Sequence, residues 1–189
     1  MEQQVKITIE GVCPLVMHNG RLADPLDEWA KRMKAVSSKR NKTDADIEEL
    51  ARLEFLGGLY YDEKNGIHIP ADMIEACFIN GAKKSKRGPQ AKSGFFLDED
   101  AKFEYKGPKK PDELWQNKDF VLKAKVRIMA NSVMRYRPHF PKWKATFTAL
   151  FFDDILSKPE IKEILETAGR IVGLGDWRPK YGRFKVTKF

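Results

Sequence analysis

The sequence lacks the features that mark secreted and membrane proteins. It holds only two cysteines, Cys13 and Cys77, in 189 residues, so we expect reduced thiols and no disulfide framework. No apolar run reaches the roughly 18 residues that a membrane helix needs, and the N-terminus has no apolar signal core. These absences predict a cytoplasmic protein that does not engage a membrane.

Motifs for metals, cofactors and several kinds of catalysis are also missing. The three histidines, His18, His68 and His139, lie far apart and share no short ligand spacing with a cysteine, which argues against zinc. The sequence has no phosphate-binding P-loop, no dinucleotide fingerprint and no ordered Ser-His-Asp set. We therefore expect no metal and no organic cofactor.

Positive charge is what the sequence has in excess. Lys and Arg number 35 against 27 Asp and Glu, which leaves a net charge of +8. The cations cluster at residues 39–42, 83–87, 106–110, 135–144 and 178–188, whereas acids collect at 44–54 and 98–104. This segregation favours a positive surface, and a polyanion is the first partner to consider.

The apolar pattern predicts an α+β protein with a ferredoxin-like core. Alternation predicts strands at 5–12, 121–128, 144–151 and 183–187, and helical spacing predicts core helices at 72–84 and 157–172. Ser157 and Glu160 form a capping box for the last helix. The order βαββαβ is typical of an RRM-like antiparallel sheet with both helices on one face.

Two segments are predicted to be insertions in this single domain of residues 1–189. Residues 14–59 suggest two charged helices, the first capped by Asp24 and opened by Pro25, the second beginning after Thr43 or Asp44. Asn65-Gly66 then predicts a hairpin turn. Residues 85–119 are rich in Gly, Pro, Lys and Asp, so we expect a long basic loop with one short hairpin.

The open face of the predicted sheet is a candidate nucleic-acid platform. It would carry many cations and polar residues beside one acid, Glu10: Lys6, Thr8, Lys123, Lys125, Arg127, Lys144, Thr146, Arg183 and Lys185. RNA-recognition modules hold their ligand on such a face. An ordinary solvated face, without the aromatic residues of those modules, is the alternative.

The segment before the last strand combines glycines, aromatics and cations. Its candidate ligand-binding residues are Trp177, Arg178, Lys180, Tyr181 and Arg183. Cations neutralise phosphates and aromatic rings stack on bases, while Gly173, Gly175 and Gly182 would let the backbone approach a ligand. The alternative is a helix C-cap followed by a plain turn into an edge strand.

Two further basic segments are candidate contacts. Residues 83–92 suggest a flexible arm in which Lys83, Lys84, Lys86 and Arg87 could order on a polyanion or remain solvated. Residues 135–143 suggest a long connection that turns Phe140 inward and presents Arg135 and Arg137 to a single strand.

Two segments resemble the RAMP superfamily, the ferredoxin-like RNA-binding subunits of CRISPR effector complexes. Residues 67–76, Ile-His-Ile-Pro-Ala-Asp-Met-Ile-Glu-Ala, are similar to the strand, "IP" and helix element that opens the first core helix of that group. The glycine-rich stretch 173–182 is similar to the loop that precedes its final strand. The whole chain also resembles phage or prophage proteins. The resemblance implies a scaffold that grips a nucleic-acid backbone, often as repeated copies.

We therefore expect a non-catalytic protein that binds RNA or DNA, single strands favoured, as a homo-oligomer or filament on the strand. One alternative is a metal-independent endoribonuclease of the guide-RNA-processing type, for which His18, Asp24 and His139 are the candidates. Asp24 also suits a helix cap, and each histidine also suits a surface or packing role. The other alternative is a phage counter-defence protein that acts through a host protein partner.

Overall fold

The computed structural model describes residues 1–189, except for the side chain of Ile128. Within this described part the chain forms an α+β fold with six α-helices and two antiparallel sheets, of seven and three strands. The helices are α1 (Glu28–Ser37), α2 (Asp44–Gly58), α3 (Ala71–Ala82), α4 (Gly88–Gly94), α5 (Pro111–Gln116) and α6 (Lys158–Ile171). The strands are β1 (Glu2–Gly11), β2 (Leu15–Val16), β3 (Tyr61–Asp62), β4 (Gly66–Ile69), β5 (Phe95–Phe96), β6 (Ala101–Glu104), β7 (Val121–Ile128), β8 (Asn131–Phe140), β9 (Lys144–Phe152) and β10 (Phe184–Lys188). Among the helices described, none is long and apolar enough to cross a bilayer.

The first of two compact units comprises residues 1–15, 61–106 and 141–189. Its sheet has the strand order β10-β1-β9-β6-β4-β3, and β5 also pairs with β9. The alternation predicted in β1 and β9 is confirmed, because Ile7, Ile9, Ala145 and Phe147 are buried while their sequence neighbours are not. These side chains form one wall of the core.

Helices α3 and α6 supply the other wall of this core. The stripe predicted for α6 is confirmed at Ile161, Ile164, Leu165 and Ala168, which are buried, but not at Ile171, which is 42% exposed. The helices approach so closely that a Cβ on Gly81 would lie 2.7 Å from the Cβ of Ala168. Both are therefore packed elements of the unit.

The second unit comprises residues 16–60 and 107–140. It holds α1, α2, α5 and the β7–β8 hairpin, and the three-stranded sheet has the order β2-β8-β7. Phe55, Phe120 and Phe140 are buried there, with the ring of Trp115 5.4 Å from that of Phe55. Strand β7 forms one edge of this sheet.

Several sequence predictions about elements are wrong. Strand β7 is not part of the large sheet. The neighbour of β9 on the side opposite β1 is β6, which lies in a segment predicted to be a loop. Residues 131–140 are a strand, and residues 85–119 also contain α4, β5 and α5. Alternation identifies a strand but says nothing of its partner, and β6 is too short for a clear pattern.

Candidate nucleic-acid interface

The β7–β8 hairpin carries three of the predicted cations on one face. Its register places Lys123 opposite Tyr136, Lys125 opposite Met134 and Arg127 opposite Ser132. Directly opposed residues of antiparallel strands point to the same side, so these six side chains share a face. The three cations are exposed. We call the segment 121–140 the basic hairpin.

Tyr136 and Met129 add an aromatic and an apolar group to the basic hairpin. The Lys123 ammonium lies 5.5 Å from the centre of the Tyr136 ring, a cation–π contact. At the turn, Met129 is 92% exposed with φ +53°, and its carbonyl accepts a hydrogen bond from Arg127 Nε at 3.2 Å. The exposed, apolar side chain of Met129 therefore lies at the turn that follows the cationic strand β7.

Arg135 and Arg137 have a different role from the predicted one. Both donate through Nη1 to Glu54 Oε1, at 3.2 and 2.6 Å, and the backbone N–H of Tyr136 donates to the other carboxylate oxygen. The prediction that the arginines face outward is wrong for Arg137, which is buried, whereas Phe140 is buried as expected. The carboxylate on α2 draws both guanidinium groups inward because a buried acid needs charged partners.

The C-terminal loop, residues 173–183, presents its cations to solvent. Arg178, Lys180 and Arg183 are exposed, while the Trp177 and Tyr181 rings are half-buried with centres 6.3 Å apart. The Lys180 ammonium lies 5.5 Å from the Tyr181 ring. These side chains form a second basic surface with aromatic character.

Gly173 and Gly182 of this loop allow close contacts within the chain. Gly182 has φ +74°, and a Cβ there would lie 1.7 Å from the carbonyl oxygen of Leu174. The Leu174 N–H donates to the Gly182 carbonyl, and the Gly182 N–H donates to the carbonyl of Pro14. The close approach that glycine permits is between segments of this chain.

The segment 83–87 is ordered, contrary to the flexible arm predicted. It forms a 3-10 turn at Lys83–Ser85 that leads into α4, and Lys83, Lys84 and Lys86 are exposed. Arg87 is half-buried and pairs with Glu160 at 2.6 Å. Three of its four cations therefore remain at the surface.

Two contacts relate the basic segments of the first unit to α6. The Arg87–Glu160 pair lies at the start of α6, whereas Gly173, at its end, accepts a hydrogen bond from the Cys77 thiol at 3.3 Å. A helix of 14 residues is about 21 Å long. Arg87 and the C-terminal loop thus lie near different ends of α6.

The open face of the large sheet is less basic than predicted. Lys123, Lys125 and Arg127 are absent from it because β7 belongs to the other sheet, and β6 contributes Lys102 and Glu104 instead. Glu10 lies 3.9 Å from the Lys144 ammonium, and Glu104 lies 3.3 Å from that of Lys102. Two of the cations on this face, Lys102 and Lys144, are therefore paired with carboxylates.

The three residues considered for catalysis have structural contacts. Asp24 accepts a hydrogen bond from the Leu26 N–H at 2.9 Å, and it does not cap α1, whose N-cap is Asp27. The carbonyl of His18 accepts from the Tyr60 hydroxyl, and His139 Nδ1 lies 3.1 Å from the carbonyl of Asp119. In the part of the chain described, no group of three or more His, Cys, Asp and Glu side chains is arranged to hold a metal ion.

Sequence reasoning missed one signal that bears on the site. No Asp or Glu occurs between Asp119 and Asp153, although this stretch contains seven Lys and Arg. The basic hairpin lies wholly within it. A count of acid-free length would have separated this segment from the other basic clusters.

Comparison with known proteins leaves this geometry as the guide to function. No family model matches the chain, and no curated protein matches it at a significant level.

Proposed function

We propose that this chain is a non-catalytic nucleic-acid-binding protein that grips the phosphate backbone, with single strands favoured. The observation that carries the proposal is the basic hairpin, in which Lys123, Lys125 and Arg127 share one exposed face within an acid-free stretch. Lys and Arg that neutralise phosphates supply most of the affinity in sequence-independent binding.

The spacing of these cations supports the proposal. Alternate residues of an antiparallel strand are about 6.8 Å apart, roughly twice the 3.4 Å charge spacing along one strand of B-DNA. Phosphates lie further apart on an unstacked single strand, so the same three cations suit successive phosphates there.

The apolar groups beside the cations support a preference for single strands. Tyr136 and Met134 lie on the same face as the cations, and Met129 is exposed at the tip. Unpaired bases stack on aromatic side chains such as that of Tyr136. Arg178, Lys180 and Tyr181 of the C-terminal loop provide a second contact of the same kind.

We further infer that the first unit is a ferredoxin-like, RAMP-related scaffold. Taking β1, β6, β9 and β10 as its four strands, the order β10-β1-β9-β6 with α3 after β1 and α6 after β9 agrees with that fold. On this basis we propose that several copies assemble along one strand.

Fluorescence anisotropy with labelled single-stranded RNA, single-stranded DNA and duplex DNA of mixed sequence tests the proposal. The variant Lys123→Ala/Lys125→Ala/Arg127→Ala should weaken binding to all sequences. It should also reduce the slope of log K against log salt by about 2 for single strands, since each neutralised phosphate contributes about 0.7. The charge-matched control Lys31→Ala/Lys34→Ala/Lys162→Ala removes exposed lysines from α1 and α6.

The outcomes are distinct. If both triple variants lose the same affinity, binding depends on net charge alone, and this result would contradict a site on the basic hairpin. Wild-type binding that does not change with salt would contradict phosphate gripping. Size-exclusion chromatography before and after nuclease treatment should show loss of a large nucleoprotein species if copies assemble on a strand.

A further inference from the structure

A groove of about 750 Å³ lies in the first unit, outside both basic surfaces described above. It is formed where the ends of β1 and β6 meet the start of β9, and its walls include Val12, Pro14, Tyr105 and Trp143. Pockets of 300–1,000 Å³ with mostly apolar walls and a few polar groups are typical of small-molecule sites.

The floor of this groove is held rigidly. The Trp143 side chain is 2% exposed, and its Nε1 donates to the carbonyl of Cys13 at 3.0 Å. Gly11 allows the indole to lie directly on the backbone, since a Cβ at that position would be 2.2 Å from Trp143 Nε1. A floor fixed in this way needs no ordering when a ligand binds.

One wall offers a flat surface to an aromatic ligand. Tyr105 is half-buried, and its ring centre lies 5.5 Å from that of Phe103. Burial raises the pKa of the Tyr105 phenol to about 12, so the hydroxyl stays protonated at neutral pH. Val12, which also lines the groove, is 55% exposed.

The rim combines cations and carboxylates. Lys106 and Lys142 are exposed at the edge of the groove. Glu10 and Glu104 also line it; Glu10 lies 3.9 Å from the Lys144 ammonium, and Glu104 is opposite Lys144 in the register of β6 and β9. Ammonium groups bind phosphate, whereas carboxylates accept hydrogen bonds from the exocyclic amines of bases.

We propose that this groove holds one nucleotide, with its base against Tyr105, its amine toward Glu10 or Glu104, and its phosphate between Lys106 and Lys142. The ligand class rests on the proposed function, but the residues are different from those of the basic hairpin. Within a bound strand the occupant would be a terminal or unstacked nucleotide, for which nucleoside 5′-monophosphates are the probes.

Titration of ¹⁵N-labelled protein with CMP, AMP, UMP and inorganic phosphate tests the site through the indole resonance of Trp143. CMP and AMP should shift this resonance saturably, with UMP weaker because it lacks an exocyclic amine. Tyr105→Ala and Lys106→Ala/Lys142→Ala should each lower CMP affinity by about tenfold. Val12→Trp should block the groove from a position that tolerates a larger side chain.

The basic-hairpin triple variant is the matched control and should bind CMP as the wild type does. Loss of oligonucleotide binding in that variant together with no CMP shift in the wild type would overturn the nucleotide groove alone. A CMP shift that requires Tyr105, combined with salt-independent oligonucleotide binding, would overturn the hairpin proposal alone. Inorganic phosphate that matches CMP in affinity would also overturn the groove, because no base would then be recognised.

Discussion

Arg137 donates a hydrogen bond to Glu54 at 2.6 Å, and the two residues are only 7% and 5% exposed. The same carboxylate also receives Arg135 and the backbone of Tyr136. This one carboxylate therefore links α2 to β8, and it engages two guanidinium groups that a ligand could otherwise contact. The basic hairpin is anchored at its base by this buried ion cluster, while Lys123, Lys125 and Arg127 remain at the surface.

Removing the charge of Glu54 should destabilise the protein strongly. Glu54→Gln leaves Arg137 buried without a countercharge, which typically costs about 3–5 kcal/mol. Urea unfolding should show this loss, whereas Glu48→Gln, at an exposed position of the same helix, should change stability by less than about 0.5 kcal/mol. Similar curves for the two variants would show that the ion cluster is not a structural anchor.

Gly182 should tolerate no larger residue. In Gly182→Ala the new Cβ would meet the Leu174 carbonyl at 1.7 Å, in addition to the strain of φ +74°. Gly66→Ala is the matched control, because Gly66 has φ +65° with no atom within 4 Å of the added Cβ. We expect about 1 kcal/mol of destabilisation for Gly66→Ala and at least about 2 kcal/mol more for Gly182→Ala. Equal thermal shifts would contradict this geometry.

Asp46 should make the stability depend on pH in the acid range. A hydrogen bond from Lys39, followed by bonds from the backbone and hydroxyl of Thr43, lowers the Asp46 pKa from 3.8 to about 2. A lowered folded-state pKa means that the unfolded state binds protons more readily, so this stability is present above about pH 4 and is lost as the pH falls toward 2.

Urea midpoints measured across this range check the prediction. Asp46→Asn should flatten the acid limb of the profile, and Lys39→Ala should flatten it in part because it removes the largest cause of the shift. An unchanged acid limb in both variants would show that Asp46 does not cause the loss of stability at low pH.

The two cysteines should differ in reactivity. Burial raises the pKa of the Cys77 thiol to about 12, while Cys13 is half-buried and lines the groove between β1, β6 and β9. Since the thiolate is the nucleophile, native protein at about pH 8 should take up one equivalent of maleimide, and denatured protein two. Cys13→Ser should abolish native labelling. Two equivalents in the native protein would show that Cys77 is accessible.

Local signals in the sequence predicted local structure well. Ser157 with Glu160 forms the capping box that begins α6, and Thr43 with Asp46 forms the one that begins α2. The Asn65-Gly66 signal is confirmed by the β3–β4 hairpin. Each depends on contacts between residues at most six positions apart, so the chain specifies them without reference to the rest of the fold.

The candidate site was only half predictable. Lys123, Lys125 and Arg127 were expected on an exposed strand face, and that exposure is confirmed, but their sheet was wrong. Arg137 was expected at the surface because interleaved cations and aromatic residues are typical of a segment that contacts a single strand. Glu54, 83 positions away, reverses that expectation.

Composition, alternation and capping residues by themselves determined an α+β chain with a cationic excess and most of its long elements. Only the tertiary structure decided that β6 takes the place beside β9, that Arg137 is buried on Glu54, and that Arg87 and the C-terminal loop lie near different ends of α6. Strand pairing and ion pairing join residues far apart in the chain. Their choice depends on which partner completes a buried surface, and no local pattern records it.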